Sequence, residues 1–488
     1  MYAVNYLAHC NPICPPMKVI HLSAECYPVA KVGGLGDVVG ALPKYQTLAG
    51  IHAMVAMPCY DVKFIHNNQW EQVAADSLTL GRHEVSYQIL KEKTDKLGFE
   101  LYVVRIPGLI EGSTVYAGNN DTERFLAFQI AVLQWINQWE TLPDVVHCHD
   151  HHTGLTPFMM SYCYQFTRLQ RVPSVFTVHN GLYQGSFSWS KQTLLPAFDT
   201  WKWGMIDWNN YINPMAAGIK CCWVFTTVSQ GYLHELQQDA AGLEPLIRSE
   251  ASKSIGIVNG IDAQVWNPQT DPYISTNYTP EQADQVKQIL KQELCSNFDL
   301  DPSKPLISFI GRLVHEKGAD LLPETIARSI DQSKGAVNFL VLGSGADHIE
   351  HALRSIQHYF RGAYNCYIGY NEALSHLIYA ASDFLIMPSR IEPCGLNQLY
   401  ALRYGTIPIV RGVGGLRDTI TDVSAPDGFG IRFDQTTVHE MMWAIRRAIE
   451  IYHHPNAMTE LRQKTMAIEH SWEASTQKYI TVYKHLQS

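Results

Sequence analysis

Short, mostly apolar runs recur along this chain, separated by longer stretches in which apolar positions return every three or four residues. In the first half the runs are Val19–Ser23, Ala53–Met57, Leu101–Arg105, Val145–Cys148, Ser174–Val178 and Phe225–Val228. Runs of this length and character fit parallel strands that helices cover on both faces. Segments such as Thr122–Gln138 carry the helical period between them. Strand and helix in alternation predict a doubly wound α/β domain. The pattern restarts at Leu306, with strands at Leu306–Ile310, Asn338–Leu342, Cys366–Ile368, Phe384–Met387 and Ile407–Val410. Helices are expected over Ala319–Ile330, Glu372–Ala381 and Gly395–Tyr404. The expected fold class is therefore α/β, with two Rossmann-like domains facing a cleft.

Between the halves, Gly256–Asp271 is dense in Gly, Pro, Asn and Asp, the composition of a turn-rich connection. The expected organisation is a disordered extension at 1–16, an N-terminal domain at 17–262, a C-terminal domain at 263–470 and a terminal helix at 471–488. That helix, with Trp472, Tyr479 and Tyr483 at helical spacing, is expected to pack back on the N-terminal domain. A length of 488 residues suits two large domains at roughly 100–200 residues each.

Composition narrows the function classes. Charged residues make up 17% of the chain, below the roughly 25% usual in soluble proteins, which excludes a disordered or coiled-coil protein. Lys and Arg total 37 against 46 Asp and Glu, a net charge of −9, so nothing basic dominates as nucleic-acid binding requires. No apolar run approaches the roughly 18 residues of a membrane span. The first sixteen residues lack the basic start and long apolar core of a secretory signal. Eleven cysteines occur without a CxxC pair, which fits a reduced, cytoplasmic protein with buried thiols.

In open α/β sheets, ligands bind beyond the carboxyl ends of the strands, and the chemistry-bearing segments lie there. Lys31-Val32-Gly33-Gly34-Leu35-Gly36-Asp37 follows the first strand and opens a helix. Its glycines allow close approach to a phosphate at a helix N-terminus, although the spacing is not the dinucleotide fingerprint. His147, His149, Asp150, His151 and His152 crowd the next site, where a zinc centre competes with a metal-free active-site edge and with plain packing. The order of these residues differs from the H-x-H-x-D-H of metallo-β-lactamase-like hydrolases, and no metal is expected. His179 and Asn180 end another strand before Gly181. Arg312 and Lys317 follow a strand and precede a helix, a pairing suited to a diphosphate. Glu392 sits at a strand end before Pro393, with Gly412-Val413-Gly414-Gly415 offering a further loop for close approach. A carboxylate there can accept hydrogen bonds from sugar hydroxyls.

Together the strings KVGGLGDVVGALP, VHCHDHHTGL, FTVHNGLYQG, GIVNGID, FIGRLVHEKG, IGYNEALSH and SRIEPCGLNQLYALRYGTIPIVRGVGGLRDT resemble bacterial glycogen synthase and plant starch synthase, glycosyltransferase family five of the GT-B fold. The resemblance runs from about Met17 to the last helix. It implies transfer of glucose from ADP-glucose to the 4-hydroxyl at the non-reducing end of an α-1,4-glucan, with anomeric configuration retained and no cofactor. It implies that Lys31, Gly33 and Gly34 meet the diphosphate from one domain, and Arg312 and Lys317 from the other. Glu392 would hold the transferred glucose, with Cys394, Gly395, Leu396 and Asn397 beside it. His179 would contact the sugar near the reacting carbon with Asn180 next to it, Tyr370 would stack on adenine, and Asp37 and Asp150 would line the cleft. Tyr400 stands where related retaining transferases carry a second glutamate, and the stretch Arg105–Arg124 does not match the family's loops. The histidine cluster leaves a metal-dependent hydrolase, and the family match a silent glucan-binding homologue, as competing readings. Oligomeric state is not legible in the sequence.

Overall fold

A computed structural model describes residues 16–116 and 118–487 of the chain. The expected N-terminal extension lies outside the described residues, apart from its last, Pro16. By packing, the chain divides into two compact units. One holds the residues up to Phe176, Gly185–Trp223 and the chain end from Tyr483; the other holds Thr177–Gln184 and Val224–Val482.

The first unit carries β1 (Lys18–Leu22), β2 (His52–Pro58), β3 (Trp70–Leu80), β4 (His83–Glu92), β5 (Glu100–Arg105), β6 (Val145–His149) and the start of β7 (Ser174–Val178). A two-residue ribbon, β8 (Asp207–Trp208) and β9 (Tyr211–Ile212), stands apart. Strand order runs β7-β6-β1-β2-β5-β4-β3. The ladders β6-β1, β1-β2 and β2-β5 are parallel, with Ile20 opposite both Met54 and Val146. The edge formed by β4 and β3 is antiparallel and was not anticipated from the hydrophobic pattern. The reason is exposure: β3 is largely solvated and kinked by a bulge between Gln72 and Ala74, so it needs no apolar run. The helix Asp121–Asn137 behaves oppositely, with twelve of its seventeen residues buried.

The second unit begins with the parallel pair β10 (Val224–Thr227) and β11 (Ser254–Gly256). Its main sheet comprises β12 (Leu306–Ile310), β13 (Asn338–Gly343), β14 (Tyr364–Ile368), β15 (Phe384–Met387), β16 (Ile407–Arg411) and β17 (Ile431–Phe433). The spatial order β14-β13-β12-β15-β16-β17 is the Rossmann order, with its switch point between β12 and β15. Alternation along the strands splits the core in two. Leu306, Leu340, Leu342, Leu385 and Met387 pack on one face, while Ile307, Phe309, Val341 and Ile386 pack on the other. Each such side chain contributes about 1.5–3 kcal/mol when fully buried, which is why both faces read as apolar.

Two helix starts differ from the expectation. Ala319–Leu321 is a 3-10 turn, and the α-helix runs Leu322–Gln332, placing Pro323 in the first turn where its missing N–H costs nothing. The helix expected from Gly395 begins at Asn397 and ends at Arg403, because Gly395 has φ +74° and cannot be helical.

Candidate active site

In the first unit the switch point lies where β1 is flanked by β2 and β6. The turn after β1 brings Lys31, Gly33, Gly34 and Asp37 together. Lys31 Nζ pairs with Asp37 Oδ1 at 2.7 Å, and burial pushes the Asp37 carboxyl up, partly offset by Lys31. Gly33 caps the helix Gly34–Leu48 without a side-chain bond, and a Cβ on Gly33 or Gly34 would meet open space. Those glycines are therefore not forced by protein packing. Gly40 is, since a Cβ there would lie 2.5 Å from the Tyr27 carbonyl oxygen. Asp150 closes β6 with φ +55°, a left-handed conformation uncommon for a side chain other than glycine, and is 7% exposed.

The histidines before Asp150 do not form an open edge. His21, His147 and His149 are fully buried in the first unit, with candidate ligand atoms within 4.8 Å of one another. Their hydrogen bonds form a continuous chain. The Gln46 amide nitrogen donates to Tyr483 Oη at 3.0 Å, and its oxygen pairs with His21 Nε2 at 2.8 Å. His21 Nδ1 meets His149 Nε2 at 3.0 Å, and His147 Nδ1 meets Tyr483 Oη at 2.7 Å. His147 and His149 stack at 4.3 Å and 25°. Imidazole lone pairs lie in the ring plane, so near-parallel stacked rings do not converge on one ion as tetrahedral zinc demands. The cluster fits a metal poorly.

In the second unit, the loops after β12 and β15 meet at the switch point. Lys317 Nζ contacts both Glu392 oxygens at 2.7 and 2.6 Å, and Ser389 Oγ donates to Glu392 Oε2 at 2.8 Å. Glu392 is 6% exposed. Arg390 forks onto Asp320 at 2.6 and 3.0 Å, and its N–H donates to the Glu316 carbonyl at 2.8 Å, tying the loops along their length. Arg312 is exposed, and its guanidinium has no hydrogen-bond or ion-pair partner among the described residues. Gly318 has φ +68°, and a Cβ there would lie 2.3 Å from the Pro388 carbonyl oxygen, so the approach of the loops requires it.

The loop Gly412–Gly415 approaches protein. Cβ atoms on Gly414 and Gly415 would fall 2.1 Å from the Glu392 carbonyl oxygen and 2.0 Å from that of Cys394. The Gly415 N–H donates to the Glu392 carbonyl at 3.0 Å, and the Gly414 N–H to Glu235 Oε1 at 2.6 Å. This loop thus backs the Glu392 segment, and its helix start already holds a carboxylate. Cys394 is buried and its thiol is pushed up to about 12 by burial, so it stays protonated. Leu396 precedes the helix, and Asn397 Nδ2 donates to the Ile310 carbonyl at 2.7 Å, anchoring the helix to the end of β12.

His179 and Asn180 follow β7. Asn180 Oδ1 accepts the Leu182 N–H at 3.1 Å, and the Gly181 N–H donates to Tyr232 Oη at 3.0 Å. Burial lowers His179 to about 3, so it is a neutral imidazole at physiological pH. Tyr370 follows the edge strand β14 and is 84% exposed. Sequence reasoning missed Glu25, Tyr116, Ser389, Arg390 and Glu235. Only Glu25, an acid just beyond the first strand, carried a local signal.

The buried histidines predict acid lability. His21 is lowered to about 4 and His179 to about 3, both by burial. The unfolded chain therefore binds more protons than the folded chain below about pH 6.5. Stability is whole above that value and falls by up to about 1.4 kcal/mol per pH unit per histidine as pH drops toward 4. Urea unfolding at intervals from pH 7 to 4 measures this; a flat profile contradicts it.

The model for the starch synthase catalytic domain matches residues 18–249, and that for glycosyl transferases group 1 matches residues 291–465. A glycogen synthase of Flavobacterium johnsoniae is 50% identical over 467 residues, covering 96% of this chain and 98% of that one. The chain belongs to the glycogen synthase and starch synthase family. A glycogen synthase of Streptococcus pneumoniae is 33% identical, over 96% of this chain and all of the other. The solved catalytic domain of starch synthase IV from Arabidopsis thaliana, bound to ADP and acarbose, aligns with a TM-score of 0.85 at 30% identity, covering 96% and 99% of the two chains. A sucrose-phosphate synthase from Thermosynechococcus elongatus aligns at TM-score 0.61 and 15% identity, a likeness of fold. Family members are glycosyltransferases that take a nucleotide-sugar donor and a glucan acceptor, on two Rossmann-like domains of the GT-B type. Among the described residues no helix is long and apolar enough to cross a membrane.

Proposed function

We propose that this chain is a retaining glucosyltransferase that moves glucose from ADP-glucose to the 4-hydroxyl at the non-reducing end of an α-1,4-glucan, elongating glycogen. The observation that carries this reading is the contact of Lys317 with Glu392 at a Rossmann switch point, with exposed Arg312 on the same loop as Lys317 and without a side-chain partner among the described residues. The ADP in the Arabidopsis relative supports the choice of donor base.

In this reading the acceptor 4-hydroxyl attacks the anomeric carbon from the face the diphosphate leaves. The bond from that carbon to the phosphate oxygen breaks, a new glycosidic bond forms, and the hydroxyl proton passes to the departing phosphate. Negative charge grows on the diphosphate, where Arg312 and Lys317 stabilise it. A double displacement would need a free carboxylate close to the anomeric carbon. Both Glu392 oxygens already accept from Lys317, which favours Glu392 as a holder of sugar hydroxyls. Neutral His179 suits a hydrogen bond to the sugar, Tyr370 stacking on the base, and Cys394, Gly395, Leu396 and Asn397 the shaping of the sugar pocket. Lys31, Gly33 and Gly34 are assigned to the diphosphate, Asp37 and Asp150 to the lining of the site, and Asn180 to substrate. The functional division proposed is 17–262, 263–470 and a terminal helix at 471–488; family matches over 18–249 and 291–465 support the first two parts. A cytoplasmic setting belongs to the same reading, supported by free buried cysteines such as Cys148 and Cys295.

Glucose incorporation into glycogen, measured from ADP-glucose and UDP-glucose in parallel, tests this. Transfer from ADP-glucose, with less from UDP-glucose, is expected. No transfer from either donor overturns the activity, and a preference for UDP-glucose overturns the donor.

A further inference from the structure

The turn at Lys31–Gly36 presents consecutive backbone N–H groups, and an internal carboxylate takes the first of them. Glu25 Oε2 accepts the Val32 N–H at 2.6 Å and the Gly33 N–H at 3.0 Å. The N–H groups of Gly34, Leu35 and Gly36 open the helix and, as in any first turn, have no intrahelical acceptor. Glu25 is 2% exposed, and its own backbone is fixed by Ser23, whose hydroxyl accepts the Glu25 N–H at 3.1 Å and donates to its carbonyl at 2.7 Å. A Cβ on Gly36 would lie 3.1 Å from Glu25 Oε2, so the small residue there makes room for this carboxylate.

The other carboxylate oxygen accepts from Tyr116 Oη. The Tyr116 ring stacks on His152 at 4.7 Å and 18°, and His152 sits edge-on to Phe125 at 4.7 Å. Tyr116 belongs to the stretch Arg105–Arg124, inside the residues that the starch synthase catalytic domain matches. The segment is anchored nearby by Arg124, which bonds Asp121 at 2.6 Å and the Thr114 carbonyl at 3.1 Å. A glycine-rich turn has little intrinsic shape, and a Cβ on Gly33 or Gly34 would meet open space, so side-chain packing imposes none there. The Lys31–Asp37 pair and the Tyr27 N–H on the Gly36 carbonyl tie its two ends, and Glu25 holds the two N–H groups between them.

We propose that Glu25, held by Tyr116, is a positioning residue that fixes the glycine turn so that the remaining N–H groups are aimed at the donor's diphosphate. The segment Arg105–Arg124 thereby sets donor affinity through Tyr116. This rests on the glucosyltransferase reading above. A carboxylate that merely fills the turn until the diphosphate displaces it would behave oppositely, because its removal would tighten binding.

The test uses the full chain and compares wild type with Glu25→Ala, Glu25→Gln and Tyr116→Phe, reading ADP binding by calorimetry and the KM for ADP-glucose against kcat. Glu25→Ala is expected to weaken ADP binding and raise the donor KM by ~10–100-fold, with kcat at saturating donor within ~3-fold. Glu25→Gln keeps an oxygen for the two N–H groups and is expected to stay within ~3-fold of wild type, while Tyr116→Phe loses ~3–10-fold. Unchanged or tighter ADP binding by Glu25→Ala overturns the proposal, as does a Glu25→Gln variant as impaired as Glu25→Ala. Should Glu25→Ala fail to fold, Tyr116→Phe decides alone, and wild-type ADP affinity in that variant overturns the proposal. If wild-type protein neither binds ADP nor transfers glucose, the functional reading fails instead.

Discussion

Replacing Glu392 with Gln is expected to lower glucose transfer about 10²–10³-fold, the range seen when one precisely placed polar group is removed from an active site. The isostere preserves volume, so the effect reports charge and hydrogen bonding. Both carboxylate oxygens meet Lys317, and Ser389 donates to one of them. In the variant the amide keeps one acceptor oxygen where the carboxylate offered two, its NH2 faces a donor from Lys317 or Ser389, and the Lys317 ammonium loses its counter-charge. The side chains are 7% and 26% exposed, so the lost pair is also expected to cost about 1–3 kcal/mol of stability. Steady-state incorporation from labelled ADP-glucose, with urea unfolding of the same preparation, separates the two effects. A folded variant with nearly full turnover would falsify the role given to Glu392.

Arg312→Ala is expected to behave differently. The guanidinium is exposed and makes no ion pair among the described residues, so its loss should change stability by no more than about 0.5 kcal/mol. Transfer should nevertheless fall about 10²–10³-fold in kcat/KM, because a forked donor on the leaving diphosphate matters most as charge develops. Arg312→Lys should recover only part of this, since an ammonium cannot engage two oxygens in a plane. The decisive comparison is activity against stability across both variants: Glu392→Gln loses both, Arg312→Ala only activity. Intact turnover in Arg312→Ala would remove the diphosphate clamp from the mechanism.

Much of this protein is legible in one dimension. The strands β1, β2, β5, β6 and β12–β16 announce themselves because helices cover both of their faces, and burial on both faces demands apolar residues at nearly every position. The segments at Lys31–Asp37, Arg312–Lys317 and Glu392–Asn397 stand out because each follows such a strand, where an open α/β sheet exposes its loops. Their residue types alone suggest an anionic sugar donor, and their strings match one family.

Other features exist only once the chain has folded. The β3–β4 edge has no apolar signature because its outer surface meets water. The histidines of β6 look like a reactive cluster in sequence, yet their rings stack within the first unit and hydrogen-bond to His21, Gln46 and Tyr483. The glycines at 414 and 415 look like a ligand loop, but their missing side chains make room for the backbone of Glu392 and Cys394. Sequence by itself determined the fold class and the family, because those depend on local periodicity and on residue type. Tertiary structure decided which charges are paired and which are free. Lys317 and Glu392 lie 75 positions apart and Glu25 and Tyr116 lie 91 apart, and no local pattern encodes a contact made by loops that meet only after their strands have entered the same sheet.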